Sequence, residues 1–154
     1  MSRKLTSFCA LVALMLTTSP TQARPCTVST AVGFSAVTHG SIQDAIDDTT
    51  CESVYLPDAQ YQENVLIDRS VELRGAGADH TEVLGGGLDS VFIVESSALS
   101  VTLAAMTISD GAAELGGGIY NMSSELFVED CTIQNNQATG VAGVGGGIYN
   151  AGIL

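Results

Sequence analysis

The hexapeptide Gly-Gly-Gly-Ile-Tyr-Asn stands twice in this chain, at Gly116–Asn121 and at Gly145–Asn150. Each copy follows a matching strand-like segment, Ser100-Val-Thr-Leu-Ala-Ala-Met-Thr-Ile-Ser and then Glu125-Leu-Phe-Val-Glu-Asp-Cys-Thr-Ile-Gln. The hexapeptides are 29 residues apart, whereas the pairs Thr107-Ile108 and Thr132-Ile133 are 25 apart. The unit is therefore about 25 residues long, with a four-residue insertion in its second copy. A period in this range means stacked supersecondary units, each burying the face of the next, and not one globular core.

The segments between punctuation marks are short and β-rich. They include Val54-Tyr-Leu, Val65-Leu-Ile, Val71-Glu-Leu, Val91-Phe-Ile-Val, Met106-Thr-Ile and Leu126-Phe-Val, all β-branched or apolar in the main. Turn signals separate them, among them Pro57-Asp58, Gly85-Gly-Gly, Asp110-Gly111 and Asn135-Asn136. No helical period follows residue 50, which argues against a doubly wound α/β sheet with helical crossovers. A hairpin sandwich needs no internal repeat, so a parallel β-helix is the expected fold. The repeat then sets Ile108 on Ile133, Leu103 on Val128 and Asn121 on Asn150. At a coil spacing of about 4.8 Å such asparagines form a structural amide ladder. The Gly triplets suit corners with positive φ. Ahead of the strands, Ser41-Ile-Gln-Asp-Ala-Ile-Asp-Asp predicts a short helix with Ser41 as N-cap and Asp44 in its first turn. Ile42, Ala45 and Ile46 give it one apolar face, and a helix this short must lie on something. It is read as the cap of the open end.

The first 23 residues read as a secretory signal: Arg3 and Lys4, an apolar run from Phe8 to Leu16, then Thr-Gln-Ala. That run is too short to span a membrane. Beyond it all 17 acidic residues and three of the five basic ones remain, a formal charge of −14. Such a surface excludes nucleic acid as a partner, because phosphate binding needs basic residues, and it favours solubility. Of the cysteines left, Cys26 and Cys51 flank one short segment and are the natural disulfide pair in an oxidising compartment. Cys131 is expected to act as a buried apolar residue. His39 and His80 are isolated in sequence, so no metal-ligand spacing is visible. Asp44, Asp47, Asp48, Asp79, Asp89 and Asp110 lie singly near turns without a calcium-loop motif. No cofactor is expected; calcium is the one ion the acidic turns would suit, and no motif indicates it.

Two stretches carry a resemblance to a known group. The run from Ser41 through Val54-Tyr-Leu-Pro-Asp-Ala-Gln-Tyr-Gln-Glu-Asn-Val-Leu-Ile to Val71-Glu-Leu-Arg-Gly-Ala-Gly-Ala-Asp-His-Thr resembles the opening of secreted β-helix proteins of the pectin-lyase-like superfamily. This chain has Ala59-Gln60 where that opening usually has Gly before the Tyr. The paired Thr-Ile and Gly-Gly-Gly-Ile-Tyr-Asn units resemble the repeats of polymorphic outer-membrane and adhesin-like β-helices. The resemblance implies an all-β, right-handed, single-stranded parallel β-helix. The expected organisation is a signal peptide over 1–23, an N-terminal cap with a short helix over 24–52, and the β-helix over 53–154. It does not by itself imply an activity, because function lives in sites grafted on folds.

Enzymes of that superfamily hold catalytic Asp and Arg on central coils, yet residues 100–150 contain no Arg, Lys or His. A lyase would lack its proton-abstracting base there. Asp68, Arg69, Glu72 and Arg74 form the one mixed-charge cluster, read as a solvated strand edge with weak ion pairs. Gly75-Ala-Gly-Ala-Asp lacks the third Gly and the helix of a dinucleotide site, and the sequon Asn121-Met-Ser is read as chance. The expected function is thus a non-catalytic, secreted or cell-surface module, adhesin-like or structural, outer-membrane or extracellular in location, with a carbohydrate or surface ligand. The alternative is a fragment of a carbohydrate-active enzyme of polysaccharide lyase or pectinesterase type. No catalytic residue is expected in this chain. The last residues, Ala151-Gly-Ile-Leu, follow a repeat directly, so truncation of a longer protein, or self-association through an uncapped last coil, is also expected.

Overall fold

The computed structural model describes residues 24–28, 37–122 and 125–154; the expected signal peptide lies outside them. The chain enters through β1 (Arg24–Val28), β2 (Val37–His39) and helix α1 (Ile42–Asp47). One turn follows as β3 (Cys51–Leu56), β4 (Ala59–Gln62) and β5 (Val65–Ile67), and a second as β6 (Val71–Gly75), β7 (Thr81–Leu84) and β8 (Phe92–Val94). The third comprises β9 (Ser100–Ala104), β10 (Thr107–Ser109), β11 (Ala112–Ala113) and β12 (Ile119–Asn121). The last comprises β13 (Glu125–Glu129), β14 (Thr132–Gln134), β15 (Gln137–Ala138) and β16 (Ile148–Asn150). Each of these turns gives one strand to each of three sheets, the last two turns add a two-stranded sheet β11-β15, and all the pairings are parallel. The result is a parallel β-solenoid of about five turns. Its first sheet, ordered β13-β9-β6-β3-β1-β2, runs on into the segment expected only as a cap.

Strand register explains the sequence period. Inward columns run Val54–Leu73–Leu103–Val128 on the first sheet, Tyr61–Val83–Ile108–Ile133 on the second, and Val65–Phe92–Ile119–Ile148 on the third. Each column stacks apolar side chains at one coil spacing, which lets a narrow solenoid bury Leu73, Leu103, Ile108, Phe92 and Ile119 completely. The insertion is also located. Ala113 pairs with Ala138 at an offset of 25, and Leu115 bridges to Val144 at 29, so the extra residues lie between 138 and 144. Val141 at their tip is fully exposed.

The corners carry the left-handed backbone that the Gly triplets suggested. Gly116 and Gly145 have φ of +62° and +68°. Ala105 with Asp130, and Asp110 with Asn135, repeat positive φ one coil apart without glycine.

Helix α1 is capped as expected at Ser41, whose hydroxyl accepts from the Asp44 amide at 3.0 Å, and Ile42, Ala45 and Ile46 are fully buried. Two further anchors come from β-coil residues. Glu63 accepts from the amides of Ile42 and Gln43, while Arg69 donates to the carbonyls of Ala45, Ile46 and Asp48. These charges satisfy the orphan donors and acceptors of both helix ends and tie the helix to the following coils. A disulfide joins Cys26 to Cys51 across the paired strands β1 and β3, with Cα atoms 5.5 Å apart. Among the described residues no helix is long and apolar enough to cross a membrane.

Candidate functional site: a polar groove on the second sheet

The second sheet, β4-β7-β10-β14, turns its outward positions into a shallow groove of about 450 Å³. Alternation along each strand fixes the lining. Tyr61, Val83, Ile108 and Ile133 face in, so their neighbours Gln60, Glu82, Thr107 and Thr132 form an outward row in register, with Gln134 one step along. The corner residues Asp58, Asp79 and His80 complete the wall.

The groove is held by its own hydrogen bonds. Glu82 uses both carboxylate oxygens: one accepts from the Gln60 amide and the other from the Ser109 hydroxyl, each at 2.9 Å. Thr107 donates to the Ala78 carbonyl at 2.6 Å. At the rim His80 Nδ1 lies 3.1 Å from Asp58 Oδ2, with both side chains more than half exposed. Behind the wall Tyr61 donates to the Pro57 carbonyl at 3.1 Å. Its burial, aided by Tyr55, Glu63 and Asp58, lifts the phenol from 10.0 to about 12. None of the lining residues is Lys or Arg. Amides, hydroxyls and carboxylates therefore face a ligand with acceptors and weak donors, which suits neutral hydroxyl groups and repels anions.

The groove is not visible in the sequence because β4 and β7 are four residues each, with one inward apolar side chain apiece. The two histidines, isolated in sequence, are not isolated in space. His80 meets Asp58, and His39 Nε2 lies 3.5 Å from Cys51 Sγ and 3.3 Å from Asp48 Oδ2. The Thr50 hydroxyl, then its amide, holds the Asp48 carboxyl below its ordinary value; burial opposes them, and His39 and Arg69 add smaller lowering effects.

Other singled-out residues serve structure. Asn121 is fully buried and donates to Asn150 at 2.6 Å, the expected ladder contact. Asn136 bridges coils by accepting from the Gly111 amide and donating to the Ile108 carbonyl. In the mixed-charge cluster Arg74 pairs with Glu72 at 3.0 Å in an exposed setting, while Arg69 turns away to the helix. Two of the single aspartates have local partners: Asp89 accepts from the Ser90 amide, and Asp47 from the Gln43 side chain within the helix. Cys131 is half-buried, not fully buried, with its thiol on the carbonyls of Leu103 and Glu129, and burial raises its pKa. On the third sheet an outward column of Leu66, Ile93, Tyr120 and Tyr149 ends in an edge-to-face tyrosine pair 5.6 Å between centroids.

Comparison with protein-family models, with curated proteins and with solved structures finds no match. The geometry itself shows the fold, a parallel β-solenoid.

Proposed function

We propose that this chain is a secreted, non-catalytic surface module of adhesin-like type that holds a neutral glycan along the second sheet. One observation carries the reading: the groove row Gln60, Glu82, Thr107 and Thr132 repeats one polar side chain per coil, with no Lys or Arg in the lining. A ladder of acceptors at about 4.8 Å spacing matches a hydroxyl-bearing polymer laid across the coils. Glu82, with both oxygens engaged, is set as a fixed acceptor and not as a proton donor. The signal-like first 23 residues support export, as does the Cys26–Cys51 bond. A pectin-lyase-like kinship remains the ancestry we infer from the opening motif. The competing enzymatic reading rests on the Asp58–His80 pair at the rim.

Isothermal titration with neutral and acidic oligosaccharides tests this. Neutral glycans are expected to bind, and Glu82→Ala to weaken them about tenfold, the equivalent of one hydrogen bond to a charged group. Product release from any glycan, abolished by His80→Ala, would replace the binding reading with the enzymatic one.

We also propose that copies of the chain associate end to end. Val128, Cys131, Ile133 and Ile148 continue the core columns but are only partly buried, whereas Leu103, Met106, Ile108 and Ile119 one coil earlier are sealed. Phe127 and Leu154 border the same open face. A second copy would cover it with parallel-strand edges and apolar contacts.

A further inference from the structure

The surroundings of the Cys26–Cys51 bond are polar on one side. Cys26 and Cys51 are 2% and 0% exposed, but His39 and Asp48 converge on them, and the four donor atoms lie within 4.8 Å of one another. Two sulfurs, an imidazole nitrogen and a carboxylate oxygen make a tetrahedral donor set for zinc. With zinc bonds of about 2.3 Å to sulfur and about 2.0–2.1 Å to nitrogen or oxygen, the tetrahedral edges come to about 3.5 Å from S to N and about 3.4 Å from N to O. His39 Nε2 stands 3.5 Å from Cys51 Sγ and 3.3 Å from Asp48 Oδ2. Those two edges are already in place. The sulfur–sulfur edge is not, because a covalent bond holds the pair closer than the about 3.8 Å a zinc site requires.

We infer that Cys26, His39, Asp48 and Cys51 form a zinc site in the dithiol state of the chain, and that the disulfide is its oxidised counterpart. A thiol reductant passes two electrons and two protons to the bond and is itself oxidised to a disulfide. The two thiols then release their protons as zinc binds the thiolates. The supporting contacts are built in. Thr50 donates its hydroxyl and amide to Asp48 Oδ1 at 2.7 and 2.9 Å, leaving Oδ2 turned to His39. Such support fixes a ligand's orientation. Two thiolates and a carboxylate exceed the dication by one negative charge, and the Arg69 guanidinium on the Asp48 carbonyl lies beside them to offset it. The ion enters from the His39 and Asp48 side, where the side chains are 15% and 27% exposed. The site would hold β1, β2 and the end of α1 together before oxidation does so. It is independent of the glycan groove.

The test uses the full chain with Cys9→Ser and Cys131→Ser, so that Cys26 and Cys51 are its remaining thiols, reduced by a phosphine so that no added thiol competes for metal. Cobalt(II) is the probe. One equivalent is expected to give the visible d–d bands of a tetrahedral ion with thiolate charge transfer, displaced by zinc and absent from the oxidised chain. His39→Gln and Asp48→Asn should remove the tetrahedral bands, and Thr50→Val should weaken cobalt about 10–100-fold. A reduced chain with unchanged circular dichroism and no such bands overturns the inference, as do bands that persist in His39→Gln. If reduction unfolds the chain, recovery of the β signal on adding zinc supports the site, and no recovery overturns it.

Discussion

At Gly116 two separate penalties meet any side chain. Its φ of +62° is left-handed, and an added Cβ would run into the Ile119 carbonyl. Gly140 has φ +84° with nothing near a Cβ, so it isolates the backbone term. Gly140→Ala is expected to cost about 1–2 kcal/mol, and Gly116→Ala clearly more, from about 2 kcal/mol upward as strain and overlap add; urea denaturation of both variants measures the difference. Equal losses would mean the triplet is conserved by conformation alone within the repeat. Ala105 gives the converse case. Its φ of +55° strains an L residue by about 1–2 kcal/mol, while glycine's extra chain entropy costs about 0.5–1. Ala105→Gly should therefore be neutral to slightly stabilising. Glycine corners were legible from the repeat. The corners at Ala105 and Asp130 were not, because nothing about alanine announces positive φ.

Tyr61 adds a pH dependence at the same scale. In the unfolded chain its phenol ionises near 10.0, and in the folded chain near 12. Between these values the unfolded state loses the proton first, so stability falls as pH rises through the window. Below 10.0 both states are protonated and Tyr61 contributes no slope. Tyr61→Phe should flatten the fall in denaturation midpoint between pH 10.0 and 12, at the expense of the bond to the Pro57 carbonyl at every pH. An unchanged alkaline slope would assign it to other groups.

Helix α1 shows what an element of six residues needs from the rest of the chain. Its apolar stripe and Ser41 cap were legible, since both are local and periodic. Its two strongest polar anchors were not, because Glu63 and Arg69 lie 20 or more residues away in sequence. Arg69 donates to three carbonyls at the helix end, so truncation leaves part-buried acceptors short of a charged donor. Arg69→Ala should cost about 1.5–3 kcal/mol, and Arg69→Lys should recover only part, since one ammonium cannot reproduce the guanidinium fork. By contrast Arg74→Ala, which breaks an exposed pair with Glu72, should cost under about 1 kcal/mol. Thermal melts of the three variants rank them. The groove strands β4 and β7 were illegible because each is only four residues long and abuts a turn signal, Pro57-Asp58 before β4 and Gly85-Gly-Gly after β7, which leaves too few residues for a period to stand out.

Over the whole molecule the solenoid is one-dimensional, each coil touching only its neighbours, so stability adds as coil and interface terms. The repeat made this architecture legible from two copies of one motif, yet it said little of how burial is distributed. That distribution is uneven. The columns are sealed at Leu103, Ile108 and Ile119 and half-open one coil later at Val128, Ile133 and Ile148. Amide hydrogen exchange should therefore be slowest in β9, β10 and β12 and fastest in β13, β14 and β16, because local opening of a coil with one covered face disrupts fewer buried contacts. Raising protein concentration distinguishes an intrinsic gradient from association. If a second copy covers the open face, protection of Leu126–Val128 and Thr132–Gln134 rises with concentration, while that of Val101–Leu103 stays fixed. Phe127→Lys, placing a cation at the border of that face, should abolish the rise without altering the dilute-solution gradient. A gradient that ignores concentration in the parent chain would leave the open coil intact as a local property and remove end-to-end assembly from the reading.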